Sequence, residues 1–425
     1  SGIPEEEVTR RTIMRYYKRK NPMLIREMIR NVYKECKGVP KSNCLTKEQR
    51  LSLQMDEFMN RRYEFRYNTQ IGEVEYRERF SFQFYFHPID KRAQNSIMLD
   101  AQSEGIGVWD RDIDRYLHSN RVPIYNPLEE FLFHLPHWDG KDRIHALANR
   151  VPCKNPHWEL LFHRWFLNMV SHWRGVDKMH ANNTSPILVG RQGTHKSTFC
   201  REMIPPALRA YYTDSIDFSH KRDAELYLNR FALINIDEFD QITLPQQGFL
   251  KHILQKPVVN LRKPHGRSVL ELQRYASFIG TSNQKDLLTD PSGSRRFICI
   301  EVTGNIDTTQ PIDYEQLYAQ AMHEIHHGER YWFDSEDEQI MTENNREFEQ
   351  TPAMLQLFYQ YFKTAQTKEE GEFLTPVEIL NYLKKKSGMS LSDNKVYHFG
   401  RLLQKCGIPS KHTYKGTVYQ VIKLS

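Results

Sequence analysis

No run of about 18 apolar residues occurs anywhere in this 425-residue chain, and nothing at its start reads as a signal peptide. A membrane span and a secretory route are therefore not expected, and the chain reads as soluble and cytoplasmic. Cysteine is sparse. Cys36, Cys44, Cys153, Cys200, Cys299 and Cys406 form no Cys-x-x-Cys pair, which argues against a disulfide scaffold or a zinc cluster and fits a reducing compartment. His323, His326 and His327 sit on an expected helix around Gln316–Ile325 but lack a Cys or carboxylate partner set, so no metal site is expected there. Internal repeats and long low-complexity tracts are also missing. The net charge of +6 is small for the length, but it is unevenly spread. Residues 1–50 hold 13 Lys and Arg against 6 Asp and Glu, and residues 351–425 hold 11 against 5. Both ends are thus basic and the middle is acidic. Basic patches of this kind attract nucleic acid without reading its sequence.

Against these absences one stretch stands out. Ile187-Leu188-Val189 reads as a buried strand running into Gly190-Arg191-Gln192-Gly193-Thr194-His195-Lys196-Ser197-Thr198, a glycine-bearing loop that opens a helix. Loop N–H groups at such a turn face phosphates, Lys196 neutralises the β/γ charge, and the Ser197 hydroxyl ligates Mg²⁺. Gly190, Gln192, Gly193, Thr194, His195, Lys196, Ser197 and Thr198 are the expected nucleotide-binding residues. His195 departs from the usual pattern, which places glycine before the lysine; its Cβ crowds the phosphates and restricts the backbone.

Downstream, Phe231-Ala232-Leu233-Ile234-Asn235-Ile236 runs apolar into Asp237-Glu238. A buried strand delivering carboxylates at its C-terminal end suits a ligand site in an α/β sheet. Asp237 is expected on the metal shell with Ser197, and Glu238 is expected to activate water. A third run, Tyr275–Asn283, ends in an amide placed to hold that water near the γ-phosphate. Arg295 and Arg296 follow the turn Asp290–Ser294, and arginine there would stabilise charge that develops only in the transition state.

Four elements in this order describe an additional-strand P-loop ATPase of the α/β class. The chain resembles the virulence-associated E family, whose core is similar to superfamily 3 helicases and to phage primase–helicases of the AAA+ type. The likeness covers roughly residues 105–335. It rests on Gly190–Ser197, Ile234–Glu238, Leu250-Lys251-His252 through Lys263, Phe278–Asn283 and Gly293–Phe297, with a lead-in from Tyr125 to Lys141. The resemblance implies a hairpin built from Val258–Arg262 and Ser268–Leu272 that grips the DNA backbone. On it, Lys263 and His265 are the first candidates, with Arg262 and Arg267 in support. It further implies a ring, expected to be a hexamer, in which Arg295 or Arg296 reaches the neighbouring subunit's site.

The flanks are expected to organise around this core. Residues 1–60 read as a basic helical region. Residues 61–102 form a small β unit, in which Tyr63, Phe65 and Tyr67 alternate, then Val74 and Tyr76; Phe80, Phe82, Phe84 and Phe86 then alternate on one face of a further run, expected as a core face, with stacking on bases as the alternative. Residues 103–180 form a helical collar, 181–305 the ATPase core, 306–350 a helical lid, and 351–374 a helix and linker. Residues 375–425 look like a winged helix, opened by the capping box Thr375-Pro376-Val377-Glu378. Asn394, Lys395, His398, Arg401 and Lys405 would face a DNA groove, with Lys415 on the wing.

The function expected is a Mg²⁺-ATP-driven DNA motor, a helicase of a phage or mobile-element replication module, with a primase as a further possible partner. Two alternatives stay open: a DNA-binding ATPase switch without translocation, and a DNA-binding scaffold with an inactive pocket, for which His195 is the sequence support.

Overall fold

A computed structural model describes residues 46–82, 84–175, 179–261, 270–288, 295–350, 353–364, 371–388, 396–414 and 416–424. The helices expected over residues 1–45 lie outside these. The chain divides into two compact units at Tyr125/Asn126, inside the stretch read as a collar.

In the first unit, α1 (Lys47–Arg62) starts at a capping box between Thr46 and Gln49 and buries Phe58 and Met59. It leads into β1 (Tyr63–Asn68), which pairs antiparallel with β2 (Glu73–Glu78). Asn68 makes the turn: its buried side-chain oxygen accepts from the Gln70 amide at 3.0 Å, and Gly72 takes a φ of 72°. Short β3 (His87–Pro88) pairs with β2, and β4 (Ile124–Tyr125) pairs parallel with β1. Helices α2 (Lys91–Ser103) and α3 (Asp110–Leu117) complete one core that joins Phe58, Tyr63, Phe65, Val74, Ile97, Ile113 and Val122. That core crosses both expected boundaries, at 60/61 and 102/103.

The phenylalanine run departs from its reading. Residues 79–82 and 84–86 form no strand. Phe80, Phe82 and Phe84 are 86%, 96% and 73% exposed. The physical reason is that these residues are spent on the connection between β2 and β3. β1 occupies one edge of β2 in full register, and the chain returns to the other edge at Pro88 and His87, which pair with Glu75 and Tyr76.

The second unit opens with α4 (Pro127–Phe133), capped by the Asn126 side chain with proline at its first position, and α5 (Arg143–Ala148). Helix α6 (Trp158–Trp173) is apolar on nearly every side, and Trp158, Trp165 and Trp173 are fully buried. Such a helix belongs inside a core. Then come β5 (Ser185–Val189), α7 (Lys196–Glu202), β6 (Tyr212–Thr213), α8 (Lys221–Arg230), β7 (Leu233–Ile236) and α9 (Leu244–Leu254). The hairpin β8 (Val258–Leu261) and β9 (Leu270–Gln273) follows, paired antiparallel, and then β10 (Ser277–Ser282) and β11 (Phe297–Glu301).

Strands β11, β5, β10, β7 and β6 form one sheet in that order, and every pairing is parallel. All residues of β5, β7 and β10 are buried, as an all-parallel sheet covered on both faces requires. Strand β10 is inserted between β5 and β7 and packs tightly at Gly280. A Cβ there would lie 2.7 Å from the Ile187 side chain and 3.2 Å from the Ile236 carbonyl. The protein is therefore a mixed α/β molecule with a parallel sheet.

Helices α10 (Tyr314–His326) and α11 (Ser335–Asn345) close this part of the unit. The Tyr318 ring of α10 stacks on Trp173 at 5.1 Å. The C-terminal elements are α12 (Ala353–Tyr361), β12 (Phe362–Thr364), β13 (Glu372–Leu374), α13 (Pro376–Ser387), α14 (Val396–Lys405), β14 (Ser410–Thr413) and β15 (Gly416–Lys423). Strand β15 pairs with β12, β13 and β14. Residues 363–374, read as linker, thus contribute strand at both ends. One core runs from Leu355 and Phe358 to Tyr419 and Val421.

Candidate functional site

Three neighbouring strands end at one place. The loop after β5, the acidic pair after β7 and the end of β10 surround a cavity of about 320 Å³ lined by Gln192–Thr198, Asp237, Glu238, Thr281 and Asn283. Gly190 does not line it but lets the chain turn there: a Cβ would meet the Val302 carbonyl at 3.1 Å and the Val302 Cβ at 3.2 Å. Gly193 takes φ 84°. His195 takes φ 64° and ψ 22°, a left-handed conformation that costs a residue with a Cβ about 1 kcal/mol or more.

Lys196 is buried and makes several bonds. Its Nζ donates to the carbonyls of Gly190 at 2.8 Å and Arg191 at 2.7 Å, and to Asn283 Oδ1 at 3.2 Å. Burial pushes its ammonium below the usual lysine range, with nearby Asp237 pulling the other way. Asp237 Oδ1 accepts from Ser197 Oγ at 3.0 Å and from the Thr281 hydroxyl. Glu238, at φ 52°, is exposed, and its Oε2 accepts from Gln241 Nε2 at 2.7 Å. Asp240 Oδ1 accepts from Ser282 Oγ at 2.7 Å and from the Asn283 amide at 3.3 Å.

The five expected groups Lys196, Ser197, Asp237, Glu238 and Asn283 are thus brought together. Thr281, Asp240 and Gln241 join them although sequence reading assigned them no role. Asp240 carried a faint signal, lying three residues beyond Asp237 in a polar turn. Ser197 and Asp237 present two oxygens 3.0 Å apart. That is a donor set suited to a hard cation that keeps its remaining shell for water and phosphate.

The profile of the virulence-associated protein E-like domain matches residues 132–350. The chain belongs to this family. Within the family domain lie the parallel sheet, the cavity and α11. A second profile, a domain of unknown function described from B. Theta (DUF3874), matches residues 351–421, the span of the C-terminal core. No curated protein matches. Among solved structures, the apo structure of the NrS-1 C terminal region is 12% identical, covering 90% of this chain and 100% of its own, with a TM-score of 0.44. Its A form is 11% identical, covering 88% and 99%, with a TM-score of 0.43.

Arg295 and Arg296 of the family domain do not line the cavity. Arg295 donates to Glu338 of α11 at 2.8 Å, and Arg296 is half-buried. Of the expected DNA contacts, Arg262, Lys263, His265, Arg267, Asn394, Lys395 and Lys415 lie outside the described residues. So do the side chains of His398 and Lys405, both on α14. Arg401 on α14 is exposed.

The root of hairpin β8–β9 is well defined. Arg274, fully buried, donates to the carbonyls of Ala276, Ile253, Leu254, Lys256 and Asn182. It caps the C-terminus of α9 and ties the hairpin to the start of β10. Burial pushes its guanidinium down to about 9, still protonated at neutral pH. Among the described residues, no helix is long and apolar enough to cross a membrane.

Proposed function

We propose that the chain is an additional-strand P-loop ATPase that drives movement on DNA, a ring-forming helicase of a phage or mobile-element replication module. One observation carries this reading. Lys196, Ser197, Asp237, Glu238 and Asn283 come from three adjacent parallel strands and converge on a single cavity, as phosphoryl transfer to water requires.

In this reading ATP lies along residues 190–198. Lys196 exchanges the Gly190 and Arg191 carbonyls for β- and γ-phosphate oxygens. Ser197 and Asp237 hold Mg²⁺, which supplies charge neutralisation when bound. Glu238 leaves Gln241 and takes a proton from the attacking water, while Asn283, fixed by Asp240, orients that water. Arg295 or Arg296 of an adjoining subunit completes the site, so turnover depends on assembly. The family membership and the basic chain ends support DNA as the track, and the elements from α13 to β15 support a winged helix.

Glu238→Gln tests the reading. Nucleotide binding should persist while turnover falls by about 10²–10⁴-fold, and ATP-dependent displacement of a duplex strand should vanish. Equal turnover in wild type and variant would leave the scaffold reading. Turnover without strand displacement by the wild type would leave the switch.

A further inference from the structure

The four alternating phenylalanines are the strongest sequence feature that the ATPase reading does not use, and the fold leaves most of them in water. The connection from β2 to β3 displays Phe80, Phe82, Phe84 and Tyr85 at 86%, 96%, 73% and 79% exposure. The display has a fixed base. Arg77 donates to the Phe84 carbonyl at 3.1 Å, and the Phe86 ring lies 4.0 Å from the Arg66 guanidinium and 4.7 Å from that of Arg77. Arg66 in turn covers Tyr125 at 3.7 Å. An exposed apolar cluster of this kind marks a binding surface.

We infer that these rings are a stacking platform for single-stranded DNA. The inference rests on the reading of the chain as a DNA motor and adds a contact outside the ATPase unit. Two observations select this occupant. First, the displayed side chains are flat rings, and a base has a π-face on each side whatever its sequence. A duplex keeps those faces stacked inside, so the platform discriminates against it. Second, the rings are flanked by guanidinium groups. Arg66, Arg79 and Arg121 line one cavity of about 330 Å³ beside Phe86, together with Glu64. Arg66 pairs with Glu75 at 2.6 Å and Arg121 with Asp56 at 2.7 Å, while Arg77 and Arg79 share Glu64 at 2.5 and 2.8 Å, so these four guanidinium groups face three carboxylates and keep one positive charge in excess. Partly exposed pairs of this kind are worth about 0–1 kcal/mol, and a phosphate can replace the carboxylate at small cost.

The test uses the full chain with Phe80→Ser, Phe82→Ser and Phe84→Ser combined. Affinity is read by anisotropy of labelled oligothymidylate and of a duplex of equal length. Stacking is worth about 1–3 kcal/mol per base, so single-strand affinity should fall at least tenfold. Duplex affinity, DNA-free ATP turnover and sedimentation should stay as in wild type. Phe82→Trp should keep the affinity, and its fluorescence should be quenched by the strand. The inference is overturned if the triple variant binds the single strand as wild type does. It is equally overturned if the variant sediments as a smaller species, which would make the rings a contact between copies. If wild type binds neither DNA form, the DNA-motor reading itself has failed.

Discussion

His195 shows what a single side chain can cost. Its left-handed backbone is one that glycine adopts freely, and no side-chain bond caps the helix it opens. His195→Gly should raise stability by about 0.5–1 kcal/mol and tighten ATP binding, read as thermal midpoint and nucleotide Kd. A looser site would mean that the imidazole itself holds phosphate. Asp240 makes the complementary case. Asp240→Ala removes the acceptor for Ser282 and for the Asn283 amide, so kcat should drop roughly tenfold while ATP affinity changes little. Loss of affinity instead would assign Asp240 to binding. Lys196 and Ser197 were legible from the glycine-bearing loop between β5 and α7, and Asp237, Glu238 and Asn283 because they follow recognisable apolar runs. Asp240, Gln241 and Thr281 were not, since their partners come from other strands or from a turn whose geometry spacing does not reveal.

Elements were readable where local chemistry decides them and unreadable where partners do. Helix α13 starts at the Thr375–Glu378 capping box and stops at Gly388, φ 68°, as its sequence foretells. Thr375→Ala should therefore weaken the C-terminal core by about 1 kcal/mol, measured as a shift in urea midpoint. The residues from Phe80 to Phe86 carry an alternation as regular as that of β1, yet alternation does not reveal whether a neighbouring edge is free. Strands β12 and β13 escaped notice because three residues are too few for a period. Arg274 is decisive for the hairpin. Arg274→Met removes the guanidinium donor from five carbonyls, of which Ile253 keeps the Lys256 amide, and each buried acceptor left unpaired costs about 1–3 kcal/mol. Unfolding stability should fall by at least about 3 kcal/mol, with hydrogen exchange rising first at the ends of β8 and β9 and in the last turn of α9.

At the scale of the molecule, assembly belongs to the proposed reading, in which a neighbour would add an arginine to a site whose other groups lie on one chain. If Arg295 or Arg296 serves the adjoining subunit, turnover per chain should rise with protein concentration. Replacing the responsible arginine by Ala should lower turnover by about 10³-fold or more while ATP still binds. Loss limited to thermal stability would assign the Arg295–Glu338 pair to folding alone.

Lys196 resting on the carbonyls of its own loop has a consequence for ligand entry. On the proposed reading, an incoming triphosphate would have to take the ammonium away from those carbonyls. The loop would then compete with its own ligand and set a threshold for occupancy.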